Sequence, residues 1–575
     1  MIRRALLLAA LPLATRAVAQ VVQATPVAYD PPAVPREFRA AWVTPMWDRG
    51  FKDWPSSPGL SPDSQRAELR ALLDHAASIG LNAVILHVRL AGDALYPTNY
   101  APWSAYLSGT SGGPPVPTYD PLAFAVSEAH ARGLQLHAWF NPFRAMLPIF
   151  AGKAAPTHVT RAHPDWIVKY GSQTWIDPGN PAARKYVLET ILDVVKRYDV
   201  DGVHLDDYFY PYRETRTTVR RVKKKKVRVV REIAFADTKS WQRYGAAKGW
   251  TNRDSWRRAN IDDFIRSVYQ GVKATKPTVL VGISPFGIWR SGTPAGVTGL
   301  DAFSEIYADA RRWLTEGWVD YLAPQLYWEV SGAQDRFRAL DAWWRTQNPL
   351  GRYIWPGLYT SHVYGGSDPW PAAEIETQIA TIRDSRTGSN DLPGHIHFRL
   401  AALFADRDRI AGQIASEYGQ RALVPAFPWL GAAPPGSPLL ATVSTDGPAS
   451  FTIAAGDTTS VRWWLIQARG KTGEWTTILR PSSLGQLSTE SLGAADPDEV
   501  AVSAVGPTGL ASAPTLDVLD DDVDAFDDDF IVVDHVDANG AALAFILARN
   551  DFDLVASPNL FHRIPTSFLP AGATF

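Results

Sequence analysis

The chain has 575 residues and a formal charge of −2, from 57 basic and 59 acidic side chains. That length exceeds one ordinary core, so two or three domains are expected. The balanced charge excludes a general pull toward nucleic acid or anionic membrane, and the absence of cysteine excludes disulfides, thiolate zinc sites and cysteine nucleophiles.

The N-terminus, "MIRRALLLAALPLATRAVAQ", has Arg3 and Arg4, a short apolar run, and small residues at Ala17 and Ala19. This is the layout of a secretory signal peptide over 1–19, cleaved after Ala19. The apolar run is too short to span a bilayer. The mature chain is therefore expected outside the cytoplasm, in the periplasm or beyond, with no integral membrane segment.

From about 36 to 412, apolar strand-like runs alternate with helical signals. The runs are 38–45, 81–89, 134–143, 200–209, 279–289, 319–328, 352–361 and 394–403. They are continuous rather than alternating, as strands buried on both faces should be. Ser61-Pro62, Asp120-Pro121 and Asn180-Pro181 are helix starts, and Gly80 and Gly133 are stops. Further helices are expected near 260–275, 302–316, 333–346, 371–383 and 406–418. Eight strand–helix units predict an α/β fold, a (β/α)₈ TIM barrel over 36–412. Inside it, "RETRTTVRRVKKKKVRVVRE" (213–232) reads as a solvated basic loop or as a contact for an anionic polymer. After a Pro/Gly linker at 425–438, short β-type runs over 439–515 suggest a small β-sandwich. The acidic tail, 516–575, is expected to be solvated and flexible.

Barrel active sites lie at the C-terminal strand ends. There the second strand places His87 and Arg89, and the third Trp139, Asn141 and Arg144. The fourth gives His204, Asp206 and Asp207, then Tyr208. The fifth gives Trp289, the sixth Gln325, Tyr327, Trp328 and Glu329, and the seventh Tyr359. The chain holds 22 Trp, and indole faces suit sugar rings.

Glycoside cleavage needs two carboxylates flanking the scissile bond. By strand parity, Asp206 and Asp207 point apart. Asp206 is then the nucleophile or base, Glu329 the acid, and Asp207 a neighbour holding His204 or an arginine. Arg89, Asn141 and Gln325 are expected to hold sugar hydroxyls and to keep Asp206 ionised. No metal or cofactor is expected, and oligomeric state is left open.

The segments "EFRAAWVTP", "HAWFNPFR", "DGVHLDDYFYPY", "GISPFGIWR", "EGWVDYLAPQLYW", "WPGLYTS" and "GHIHF" resemble the glycosyl-hydrolase-like family of DigH and YngK, formerly a domain of unknown function. The resemblance covers about 36–405. It implies a (β/α)₈ barrel that hydrolyses glycans, with peptidoglycan strands lacking stem peptides as substrate. It also implies a fibronectin-III-like domain at 439–515. "GVHLD" further resembles the strand-four motif of the α-amylase clan, whose last Asp is the nucleophile. The insert 213–232 and the tail after 516 depart from the family pattern.

Two rivals stand beside this reading. One is a metal-dependent polysaccharide deacetylase using the Asp pair with His158 and His163 of "HVTRAH". The other is a catalytically inactive barrel that binds glycan.

Overall fold

Eight parallel strands form the centre of the molecule. In chain order they are β1 (Phe38–Val43), β2 (Ala83–Arg89), β3 (Gln135–Phe140), β4 (Gly202–Leu205) and β5 (Leu280–Ile283). Then come β6 (Tyr321–Leu322), β7 (Tyr353–Ile354 and Gly357–Leu358) and β8 (Gly394–His397). The computed structural model describes residues 19–20, 31–46, 50–147, 152–222, 225–363, 365–386, 391–443, 450–470, 473–492, 497–518, 530–536 and 542–548. The expected signal peptide lies outside these except for Ala19, and so does the acidic run at 519–529.

The two pieces of β7 are one strand interrupted at Pro356, which has no N–H to donate. The first piece pairs with β6 through Tyr321 and Tyr353, the second with β8 through Gly357 and Ile396. Since β8 also pairs with β1, the parallel sheet closes on itself. The fold is an α/β TIM-like barrel.

Local chemistry sets the outer helices. Helix Pro62–Ser78 begins at Ser61, whose side chain accepts from the Ser64 N–H. Helices Pro121–Ala131 and Pro181–Arg197 begin at Asp120 and Asn180, whose side chains accept in the same way. Gly80 and Gly133 follow two of these helices at φ +84° and +71°, a conformation side chains disfavour.

The insert expected as a loop is regular. Thr215–Val222 and Lys225–Glu232 pair antiparallel as a β-hairpin. Its β-branched residues favour strand, and the charge run obscures that signal.

Beyond the barrel, two antiparallel sheets form a sandwich. One pairs Leu439–Val443, Ser450–Ala454 and Gln486–Ser488, with Ala19–Gln20 on its edge. The other pairs Trp475–Pro481, Trp463–Gly470, Pro497–Val505 and Thr515–Val518. Phe451, Trp464, Ile466 and Val502 fill the space between them. In the tail, Phe530–Val536 and Ala542–Ala548 pair antiparallel.

The linker is not a free tether. Phe427 is buried among the aromatics of the lower barrel, and the Trp429 Nε1–H donates to Asp320 at 2.9 Å. Trp463, Leu465 and Leu479 of the sandwich cluster with Leu423 beneath the barrel. Beside them Arg462 donates to Asp201 at 2.8 Å, and Asp201 lies 2.8 Å from His130. Burial would raise the Asp201 carboxyl, but Arg462 and His130 overturn this and hold it well below the ordinary range.

Arg462→Ala should therefore cost about 3 kcal/mol, because it leaves a buried carboxylate short of its cation. A depressed carboxyl contributes stability above its unfolded value of 3.8, and that contribution is lost as the pH falls below it. Urea unfolding at pH 7 and pH 3 should show the deficit at the first and a smaller one at the second. Equal deficits would mean that the ion pair is not its source.

Candidate active site at the C-terminal rim

β4 ends at Leu205, so Asp206 and Asp207 lie just beyond the strand and its two-residue alternation. Strand parity therefore does not fix where they point, and both carboxyls are buried at the floor of the rim. Asp206 Oδ2 accepts from Trp139 Nε1 at 3.2 Å and from Asn141 Nδ2 at 3.1 Å, both from the β3 end. Asp207 Oδ2 accepts from the Tyr212 hydroxyl, and Gln325 at the β6 end also bonds it. Tyr212 closes the aromatic run after β4 but carries no role in the sequence reading. Asp207 does not hold His204.

The two carboxyls are 4% and 3% exposed. Burial pushes Asp206 up to about 7, and the neighbouring Asp207 adds to the rise. Burial pushes Asp207 up to about 6, opposed first by the Tyr212 hydroxyl. Arg144 lowers both. Its guanidinium lies 3.9 Å from the Tyr208 ring centroid, and among the described residues it forms no ion pair. The site thus keeps a carboxylic acid protonated near neutral pH and aims donors at its neighbour.

Beneath the floor, a chain of hydrogen bonds has its direction fixed by its first member. The Trp42 indole only donates, and it reaches His204 Nε2 at 3.2 Å. Nδ1 of His204 then carries the proton, toward the Tyr321 hydroxyl at 2.9 Å. That hydroxyl donates to His137 Nδ1 at 2.8 Å, and His137 Nε2 reaches Gln135 Oε1 at 3.2 Å. Burial holds both histidines below their ordinary value, so they stay neutral.

The other expected site residues separate by depth. His87 stacks under Trp139 at 3.7 Å and is fully buried. Arg89 is also fully buried and donates to the Asn141 and Pro142 carbonyls at 2.8 and 3.1 Å. These two and His204 lie below the surface that a sugar would touch. Tyr327 stacks on Tyr359 at 4.6 Å, with Phe398 alongside, to make one half-buried wall. Tyr212, Phe286 and Trp328 make another, linked ring to ring at 6.4 and 6.0 Å. Trp289 instead packs on Trp343 and Phe303 and donates to Asp309 at 2.9 Å. Glu329 is exposed at the rim.

The histidines of the deacetylase rival are occupied elsewhere. His158 has one ring nitrogen on the Ala91 carbonyl at 3.0 Å and the other on Thr160, and His163 stacks on Trp166 at 3.7 Å.

Residues 37–366 match the family described as Glycosyl hydrolase-like 10. The chain belongs to this family. Glycosyl hydrolase YngK of Bacillus subtilis (strain 168) is 38% identical over 424 residues, covering 72% of this chain and 78% of that protein. Glycosyl hydrolase DigH of Escherichia coli (strain K12) is 35% identical over 343 residues, covering 56% of this chain and 73% of the relative. Among solved structures, the PgaB (BpsB) glycoside hydrolase domain of Bordetella bronchiseptica is similar at 15% identity and a TM-score of 0.44, covering 67% of this chain and 99% of that domain.

The buried pair makes stability depend on pH. Asp206 titrates from 3.8 when unfolded to about 7 when folded, so between these values the native state binds more protons. Stability therefore falls as the pH rises through that window. Asp206→Asn removes the Asp206 share of the effect. Its stability relative to the parent should rise by a few kcal/mol between pH 4 and pH 7, on the order of 1.4 kcal/mol for each step of one in pH. Thermal unfolding across this range reads the difference, and parallel pH curves for the two proteins would sink the assignment.

Proposed function

We propose that this Glycosyl hydrolase-like 10 protein is an exported glycoside hydrolase that cuts peptidoglycan glycan strands lacking stem peptides. The observation that carries the reading is the buried Asp206–Asp207 pair at the floor of an aromatic-walled rim. The glycosyl hydrolase names of its relatives support it. The sandwich at 439–515 is read as fibronectin-III-like, a domain set apart from the chemistry.

Asp206 gives its proton to the departing glycosidic oxygen. Burial favours a protonated carboxyl, and it acts on Asp206 but not on exposed Glu329. This reverses the roles expected from strand parity. Asp207, oriented by Tyr212 and Gln325, supplies negative charge facing the cation that develops at the anomeric carbon. Water then bonds to that carbon and returns a proton to the Asp206 carboxylate. Arg144 and Asn141 orient the pair, and Trp139, Tyr208, Tyr327 and Trp328 provide faces for sugar rings. Glu329 stands on the rim outside the pair.

Asp206→Asn and Asp207→Asn should each lower kcat on stem-peptide-free glycan by on the order of 10³-fold, with binding changed only a few-fold. Glu329→Gln should keep more than about a tenth of the activity. The rate should rise near pH 6 and fall near pH 7, the two steps belonging to the coupled pair. Mass spectrometry of the released fragments identifies the bond cut. A Glu329→Gln variant as dead as Asp206→Asn would return the acid role to Glu329. Glycan binding with no product from the wild type would leave the inactive-barrel reading.

A further inference from the structure

The hairpin after β4 is densely cationic. Between 213 and 232 there are ten Lys and Arg against Glu214 and Glu232, in a protein whose formal charge is −2. Arg213 uses both Glu232 and Glu305 at the base of the hairpin. Above them Arg216, Arg228 and Arg231 are exposed and form no ion pair among the described residues. The register sets Arg216 opposite Arg231. Like charges at opposed positions destabilise a ladder, and a lone two-stranded hairpin is marginal in water. Both faces are open: Val219 and Val230 are 60% and 61% exposed on one, and Arg216 and Arg231 are exposed on the other.

Its attachment ties it to the candidate active site. Tyr212, whose hydroxyl bonds Asp207, precedes the first strand of the hairpin by only Arg213 and Glu214. The base is fixed by the Glu214 N–H on the Tyr170 hydroxyl and by Gln173 Nε2 on the Glu214 carboxylate. Inside the site Arg144 is a second cation with no ion-pair partner among the described residues, 4% exposed beside the Asp pair.

We infer that the hairpin is a cationic arm that holds the carboxylates of a glycan strand running through the barrel rim. This rests on the proposed hydrolase function and names the charge state of the substrate. In a peptidoglycan strand without stem peptides, each muramic residue has a free lactyl carboxylate. The strand is then a regular polyanion, complementary to an arm whose self-repulsion it relieves. With stem peptides attached, the same carboxylates are amides and the complementarity is gone.

The test uses the full chain and the variant Arg216→Gln/Arg228→Gln/Arg231→Gln. These side chains are exposed and form no ion pair among the described residues, so the variant should fold, and circular dichroism with thermal unfolding checks it. Binding is read by fluorescence anisotropy with end-labelled, stem-peptide-free glycan, which needs no cleavage. The wild type should bind on the order of tenfold more tightly than the variant at low salt, with the gap closing as salt screens the charges. Amidating the glycan carboxylates should bring the two proteins together. Equal affinities on the unmodified glycan would overturn the inference. So would a gap seen only with a phosphate polymer, such as an oligodeoxynucleotide or a teichoic acid. A carboxylate-dependent gap without any cleavage product would support the arm while refuting the hydrolase reading. Cleavage with no gap would do the reverse.

Discussion

Two adjacent carboxyl groups with almost no exposed surface repel each other, and burial penalises the charge of each. Arg144 lowers both without forming an ion pair with either among the described residues. The remaining way to relieve the strain is a proton, which the pair keeps up to about pH 7. A site that keeps one proton beside one ionised carboxylate near neutrality is equipped for acid catalysis next to a developing cation. The geometry of the rim depends on holding that pair still.

The strands that present it are tied together below. Trp42, His204, Tyr321, His137 and Gln135 connect β1, β4, β6 and β3, none of them paired in the sheet except β3 with β4, across the barrel interior through one directed set of hydrogen bonds. These side chains need room inside a closed barrel, and two glycines supply it. A Cβ on Gly282 would fall 1.9 Å from the Tyr321 ring, and one on Gly202 would fall 2.7 Å from the His137 ring. The neutral histidines add no charge beneath the pair.

What could be read in the sequence follows from how local its cause is. Ser61, Asp120 and Asn180 cap helices through contacts two or three residues away, so their starts were legible. The strands were legible because parallel barrels bury both faces of each one. The direction of Asp207 was not, because β4 stops at Leu205 and a loop does not obey strand parity. The depth of Arg89 and His204 was hidden for a related reason: a strand-end position does not tell whether a side chain lies above the barrel floor or below it. Phe427 and Trp429 could have warned that the linker is packed, since an unattached tether has no use for buried aromatics.

The two ends of the barrel carry opposite electrostatic solutions. At the N-terminal end, Arg462 and His130 hold Asp201 ionised, and that contribution is complete above pH 3.8. At the C-terminal end, Asp206 is held protonated, and its penalty grows from pH 3.8 to about 7. The clamp is thus at full strength throughout the range in which the carboxyl pair destabilises the fold. Because the sandwich supplies Arg462, its packing under the barrel offsets a charge arrangement that the rim requires and that the barrel alone would have to absorb.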